Sequence, residues 1–314
     1  MKLSDANRLT GLVAAAHTPF HTDGSLNLAI VERHAAHLLA NDVQIVFIGG
    51  TTGESHSLSL DERRALARRW CEVARGSKLR VVVHVGANCL ADAATLAGQA
   101  QELGADAISA LSPSYFKPYS VSVLVDCCAQ IATAAPKTPF YFYDIPSLTG
   151  VNLPMPEFLS QARARVPNLA GLKFTNPDLM AYQLCLSAEG GAFDCPWGTD
   201  EALLAALAVG ARGAVGSTYN FAAPVYHRLI AAFAKGETAV AREEQARSVK
   251  LVQLLRRYGF MGAAKTTMKL LGLDLGPPRL PNTSLNTAQS GTLEQELHRI
   301  GFFDWIRGVD SPKK

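Results

Sequence analysis

Lys173 closes a short apolar run, Leu169-Ala170-Gly171-Leu172-Lys173-Phe174-Thr175, and Asn176 and Pro177 follow it as a helix-start signal. A lysine that ends a buried strand must pair with an acid, reach solvent or lose its proton. The last course makes it an amine nucleophile, able to form a Schiff base with a carbonyl substrate. At a pKa of about 10.4 in water, fewer than one such amine in a thousand is neutral at pH 7, and each unit of depression raises that fraction about tenfold. An ion pair with Asp144 or Glu54 is the competing reading, and strand position alone does not separate the two.

The other groups with chemistry in them fall after similar β-prone runs. Tyr143 ends Phe140-Tyr141-Phe142-Tyr143 before the turn at Pro146. Its phenol can relay a proton beside an amine, or simply fill a core. Gly49-Gly50-Thr51-Thr52-Gly53-Glu54 combines three glycines with two hydroxyls, a pattern that can bring backbone N–H groups onto a small carboxylate or phosphate, or make a plain tight turn. It lacks the Gly-Lys-Ser/Thr ending of a Walker loop. Gly198-Thr199-Asp200-Glu201 and Gly213-Ala214-Val215-Gly216-Ser217 offer two carboxylates and a hydroxyl, although acids in a first helical turn are favoured whatever the function. His17 and His84 near strand ends read as structural hydrogen-bonding histidines before catalytic ones, and Tyr115 as a site or an interface residue.

The elements that must position these groups alternate. The spacing predicts strands over Leu12 to Ala16, Gln44 to Ile48, Arg80 to Val85, Ala107 to Leu111, Phe140 to Tyr143, Gly171 to Phe174, Phe193 to Trp197 and Gly213 to Gly216. Helices are predicted between them, including Asn27 to Leu39, Leu60 to Arg75 behind the Ser59/Glu62 capping box, Asp178 to Ser187, Glu201 to Val209 and Ala223 to Ala234. Eight strand-then-helix units imply an α/β fold with a parallel sheet closed into a (β/α)8 TIM barrel, with an open doubly wound sheet as the alternative. The barrel is expected over residues 1–235. Residues 236–314 are expected to form a C-terminal helical extension, with helices over Glu237 to Tyr258, Ala263 to Leu271 and Thr292 to Arg299. In such a barrel the site is built at the carboxyl ends of the strands, where the residues above fall.

A chain of 314 residues, 48% hydrophobic and 18% charged with a formal charge of +3, has the composition of an ordinary globular protein. It shows no basic run that would argue for nucleic acid or an anionic membrane, and no apolar segment long enough to span one. Six cysteines without a Cys-x-x-Cys pair read as reduced thiols, no His/Cys cluster has zinc-ligand spacing, and no signal-peptide pattern opens the chain. A cytoplasmic location is the expectation.

Taken together, the glycine-rich 49–54 loop, Tyr143 with Ile145-Pro146, Gly171-Leu172-Lys173 and Gly213 to Ser217 resemble, in order, the pyruvate-dependent class I aldolases of the dihydrodipicolinate synthase and N-acetylneuraminate lyase family. Ile145-Pro146-Ser147-Leu148-Thr149-Gly150-Val151, Lys173-Phe174-Thr175 and Gly198-Thr199-Asp200-Glu201 are similar to the lyase branch. The Gly-Arg pair that the synthase branch places after the proline is replaced by Ser147-Leu148. One departure is Asp144, where that family usually carries Asn or His.

The resemblance implies reversible cleavage of a sialic acid to N-acetylmannosamine and pyruvate. Lys173 would be the imine-forming amine and Tyr143 the proton acceptor. Thr51 and Thr52 would hold the substrate carboxylate, while Thr175, Gly198, Asp200, Glu201 and Ser217 would line the sugar side. The imine itself serves as the electron sink, so neither a metal nor an organic cofactor is expected. A homotetramer is implied, with Tyr115 reaching a neighbouring subunit. A related aldolase or dehydratase acting on a 2-keto-3-deoxy sugar acid, and a non-catalytic sugar-acid-binding protein, are the alternative readings.

Overall fold

Seven runs rich in β-branched, aromatic and small residues form parallel strands in the computed structural model, which describes residues 7–307. They are β1 (Gly11–Ala15), β2 (Ile45–Ile48), β3 (Arg80–His84), β4 (Ala107–Leu111), β5 (Phe140–Asp144), β6 (Leu169–Phe174) and β7 (Gly213–Gly216). They pair in the order β6-β5-β4-β3-β2-β1-β7, a curled sheet of TIM-barrel type. Between β1 and β6 run the helices α1 (Ile30–Ala40), α2 (Leu60–Ala74), α3 (Leu90–Glu102), α4 (Val121–Thr133), the one-turn α5 (Pro146–Thr149) and α6 (Met155–Arg165). After β6 come α7 (Leu179–Gly191) and α8 (Leu203–Ala208), and α9 (Tyr219–Ala234) follows β7.

The predicted strand Phe193 to Trp197 is not a regular strand. It still spans the gap between β6 and β7: Leu172 N donates to Asp194 O (3.0 Å) and Phe174 N to Pro196 O (2.9 Å) on one side. On the other side, Trp197 N donates to Gly213 O (2.9 Å) and Val215 N to Trp197 O (2.7 Å). Pro196 has no N–H to donate, so the ladder is interrupted while the cylinder is closed by single bridges.

Side chains divide by strand alternation into two layers. Leu12, Val46, Val81, Ile108, Phe140 and Phe142 pack outward beneath the helices. Val13, Ile45, Phe47, Val82, Ala107, Tyr141, Tyr143 and Val215 fill the interior. On β6 the alternation changes phase. Ala170 belongs to the interior, yet Leu172 and Phe174 lie in the outer layer. The pairing with β5 shifts there, Phe140 facing Leu169 while Tyr141 faces Gly171, so one extra residue is absorbed as a bulge. Glycine is needed at 171 because a Cβ would lie 1.7 Å from Asp194 O. Beyond the bulge Lys173 points inward, its Nζ lying over the rings of the interior residues Phe47 and Tyr143.

Helix starts follow their caps. Ser59 and Glu62 close α2 reciprocally, as expected. At α7 the cap is Asp178, whose side chain accepts from Ala181 N, and not Asn176; Asn176 instead accepts from Asp178 N (3.1 Å) in a preceding turn. The predicted 201–209 helix is split into a 3-10 turn, Asp200–Ala202, and α8, with Ala202 outside helical geometry.

Among the described residues four helices follow α9: α10 (Thr238–Arg257), α11 (Phe260–Leu270), α12 (Thr287–Ile300) and α13 (Phe302–Trp305). The last of these has no counterpart in the sequence reading, and α12 starts earlier than expected because Asn286 and Gln289 form a capping box. Two ties join this part to the strand ends. Lys265 of α11 is buried against Glu54 (2.9 Å) and donates to Thr18 O (2.9 Å) and Pro277 O (3.0 Å). Arg279 donates to the carbonyls of Gly24 and Ser57 and to Glu62. Among the described residues no helix is long and apolar enough to cross a membrane.

Candidate active site

The inward turn of β6 puts the Lys173 amine in the mouth of the barrel, where the side chain is 4% exposed. Its Nζ lies 3.8 Å from the centre of the Tyr143 ring and 4.1 Å from that of Phe47. Ring faces favour the ammonium form by about 1–2 kcal/mol. Loss of water opposes this and dominates: burial lowers the lysine pKa, against the partial support of Tyr143 and the more distant Asp200. The acids that could have paired with it are engaged elsewhere, Glu54 with Lys265 and Asp144 with the Asn176 amide. The ion-pair reading of Lys173 therefore fails in this structure.

Hydroxyls from two loops meet Tyr143 and each other. The Tyr143 phenol is 3.2 Å from Thr51 Oγ1, and Thr52 Oγ1 is 2.6 Å from Ser217 Oγ. The loop after β2 thus touches both β5 and the loop after β7. Asp200 is held by the backbone N–H (2.8 Å) and hydroxyl (2.6 Å) of Thr218, and Gly216 must lack a side chain because a Cβ there would lie 2.0 Å from Asp200 Oδ1. Burial raises the Asp200 carboxyl to about 6, against those two hydrogen bonds.

Thr175, Gly198, Asp200, Glu201 and Ser217 line one cavity of about 440 Å³. The Thr175 hydroxyl is buried there without a hydrogen-bond partner, and a Cβ on Gly198 would fall 1.8 Å from it. Lys173 and Tyr143 are not part of the lining; Lys173 is linked to it by the charge of Asp200 and by Thr175, two residues along the chain. The arrangement sets a low-pKa amine and a phenol at one end, and hydroxyls and carboxylates along the other.

The sequence reading missed contributors from distant elements. Arg256 of α10 donates to Glu201 (2.6 Å), and Val252, Phe260 and Ser147 also line the cavity. No local signal links Arg256 to a residue so far upstream. His84 is structural: its Nδ1 lies 3.0 Å from Gly49 O and its Nε2 accepts from Leu111 N, while burial and Arg63 hold its pKa well below the usual histidine value. Burial likewise keeps His17 neutral. Tyr115 lies outside the cavity, 78% exposed beside Phe116 and Tyr119, which are exposed as well. Among the described residues no group of three or more His, Cys, Asp or Glu side chains is placed to hold a metal ion.

The family model described as the dihydrodipicolinate synthetase family matches residues 8–300. The chain belongs to that family. N-acetylneuraminate lyase A of Xenopus laevis is 42% identical over 277 residues, covering 87% of this chain and 90% of the relative. The solved N-acetylneuraminate lyase of Aliivibrio salmonicida is 44% identical and superposes with a TM-score of 0.91, over 94% of this chain and 98% of that one. A sialic acid aldolase of Ruminococcus gnavus, solved as a catalytic lysine mutant, is 26% identical with a TM-score of 0.90, over 96% and 99% of the two chains.

Proposed function

We propose that this protein cleaves N-acetylneuraminate reversibly to N-acetylmannosamine and pyruvate, as a class I aldolase working through an imine on Lys173. The observation that carries the reading is the Lys173 amine, buried without a carboxylate partner against Tyr143. Its relatives bearing the name N-acetylneuraminate lyase support it, as does the R. gnavus aldolase, a structural neighbour that has a catalytic lysine of its own.

Neutral Lys173 adds to the 2-keto carbon of the open-chain substrate, and loss of water with uptake of one proton from solvent leaves a protonated imine. Thr51 and Thr52 hold the substrate carboxylate. Tyr143 accepts the C4 hydroxyl proton and relays it toward that carboxylate as the C3–C4 bond breaks. The electron pair of that bond moves into the imine to give an enamine, and the sugar leaves as an aldehyde. Protonation at C3 and hydrolysis then return pyruvate and free lysine. Asp200, Glu201, Ser217 and Thr175, with the close approach allowed at Gly198, bind the polyol. The reaction draws on no metal or organic cofactor.

We also read residues 236 onward as a helical extension that walls the sugar side. The chain is read as a homotetramer of the reducing cytoplasm, an assembly for which the exposed Tyr115, Phe116 and Tyr119 offer a contact surface. Borohydride with pyruvate should add a reduced three-carbon adduct to the wild type and none to Lys173→Ala, with pyruvate release lost in parallel. An unlabelled wild type, under conditions that label a control aldolase, would refute the mechanism. Preference for a keto-acid lacking the acetamido group would replace the assigned substrate.

A further inference from the structure

Asp144 is the departure noted in the sequence, and the mechanism above does not use it. It continues the outward-facing set of β5, after Phe140 and Phe142, and is 2% exposed. Its carboxylate accepts from the Asn176 amide, Nδ2 to Oδ2 at 3.1 Å, and its backbone carbonyl accepts from Thr175 N at 2.8 Å. Asn176 is in turn fixed from the other side, its Oδ1 accepting from Asp178 N at 3.1 Å, next to the cap of α7. The end of β5 therefore grips Thr175 on both flanks, by its own amide and by the side chain that follows.

What this grip presents is an unsatisfied group. Thr175 lines the cavity, and its hydroxyl is buried close against bare Gly198 with no hydrogen-bond partner. A buried hydroxyl left without a partner points to a ligand that completes it.

We infer that Asp144 is a positioning residue: through Asn176 it aims the Thr175 hydroxyl at the polyhydroxy chain of a sugar acid. The inference rests on the imine reading above and extends it to the selection of substrate. The Asp144 side chain thus serves the next loop, on the opposite face of the strand from its neighbour Tyr143.

The test uses the full-length wild type, Asp144→Ala, Asp144→Asn and Asn176→Ala, each assayed for borohydride trapping with pyruvate and for KM and kcat with N-acetylneuraminate. On the imine reading pyruvate fills only the Lys173 end of the site, so its half-saturation for trapping stays within about twofold in all four proteins, while loss of one neutral hydrogen bond raises the sugar-acid KM about five- to tenfold in both alanine variants. Asp144→Asn keeps the acceptor and returns KM to within about twofold of wild type, and in a Thr175→Val background Asp144→Ala adds less than about a further twofold. Asn176→Ala, at a half-buried loop position, tests the same link if Asp144→Ala does not fold. An unchanged KM in Asn176→Ala, or a trapping half-saturation that rises in step with KM, overturns the inference. Absence of any adduct in the wild type overturns the imine reading and this inference with it, so the two failures are distinguishable.

Discussion

Replacing Tyr143 with phenylalanine removes one oxygen and leaves almost everything else that the ring does. The ring packs edge-on to Phe47 and His84, at 5.8 and 6.0 Å between centres, and lies 3.8 Å from the Lys173 amine. Those contacts, and the burial that depresses the lysine pKa, survive the substitution. The lost hydrogen bond runs to Thr51 Oγ1 at 3.2 Å, and a neutral bond of this kind contributes about 1 kcal/mol to stability. The lost proton transfer is larger: general acid–base groups contribute about 10²–10⁴ in rate, roughly 3–5 kcal/mol of transition-state stabilisation. Stability should thus fall slightly, borohydride trapping of pyruvate should persist, and pyruvate release from N-acetylneuraminate should fall by about two to four orders of magnitude. Denaturant melts, intact-mass spectra and a coupled pyruvate assay read the three quantities separately. Cleavage that falls less than about tenfold would refute the assignment of the phenol as the proton acceptor.

Two further predictions concern charges buried around the site. Lys265→Met strands Glu54 without its 2.9 Å partner and should lower the unfolding free energy by about 3–5 kcal/mol in urea melts; a change near zero would mean that the acid finds water or another donor. Burial raises the Asp144 carboxyl from 3.8 to about 7, so between those values the folded state holds a proton that the unfolded chain has released. The contribution is therefore complete at low pH and lost as pH rises through 7, by roughly 4 kcal/mol at most. Asp144→Asn keeps the acceptor for Asn176 and removes the titration, so its stability relative to wild type should grow from pH 4 to pH 8 in paired urea melts. A constant difference between the two proteins would show that Asp144 ionises normally.

Much of the architecture was legible because its signals are local. Val81-Val82-Val83 and Phe140-Tyr141-Phe142 name strands by residue type, and Ser59 with Glu62 names a helix start. Errors arose where two local signals competed. Asn176-Pro177 and Asp178 both suit a helix start, and Asp178 prevails because its carboxylate reaches Ala181 N while Asn176 is turned toward Asp144. Phe193 to Trp197 has strand composition, but Pro196 withholds the donor that a continuous ladder needs. For the site, strand ends identified the groups brought together: Thr51 with Tyr143, and Thr52 with Ser217. The Glu201–Arg256 pair and the Asp144–Asn176 link depend on packing between elements distant in the chain. Neither leaves a trace in spacing.

The surplus residue at Gly171 makes the direction of the Lys173 amine a matter of counting rather than of residue choice. Without it, the odd–even rhythm begun by Leu169 and Ala170 would carry Leu172 to the lumen and aim Lys173 at the helical shell, among greasy neighbours and away from any keto acid. The amine's orientation thus depends on a glycine two places upstream. Any attempt to graft this chemistry onto another cylinder has to transplant the stutter in the strand together with the lysine.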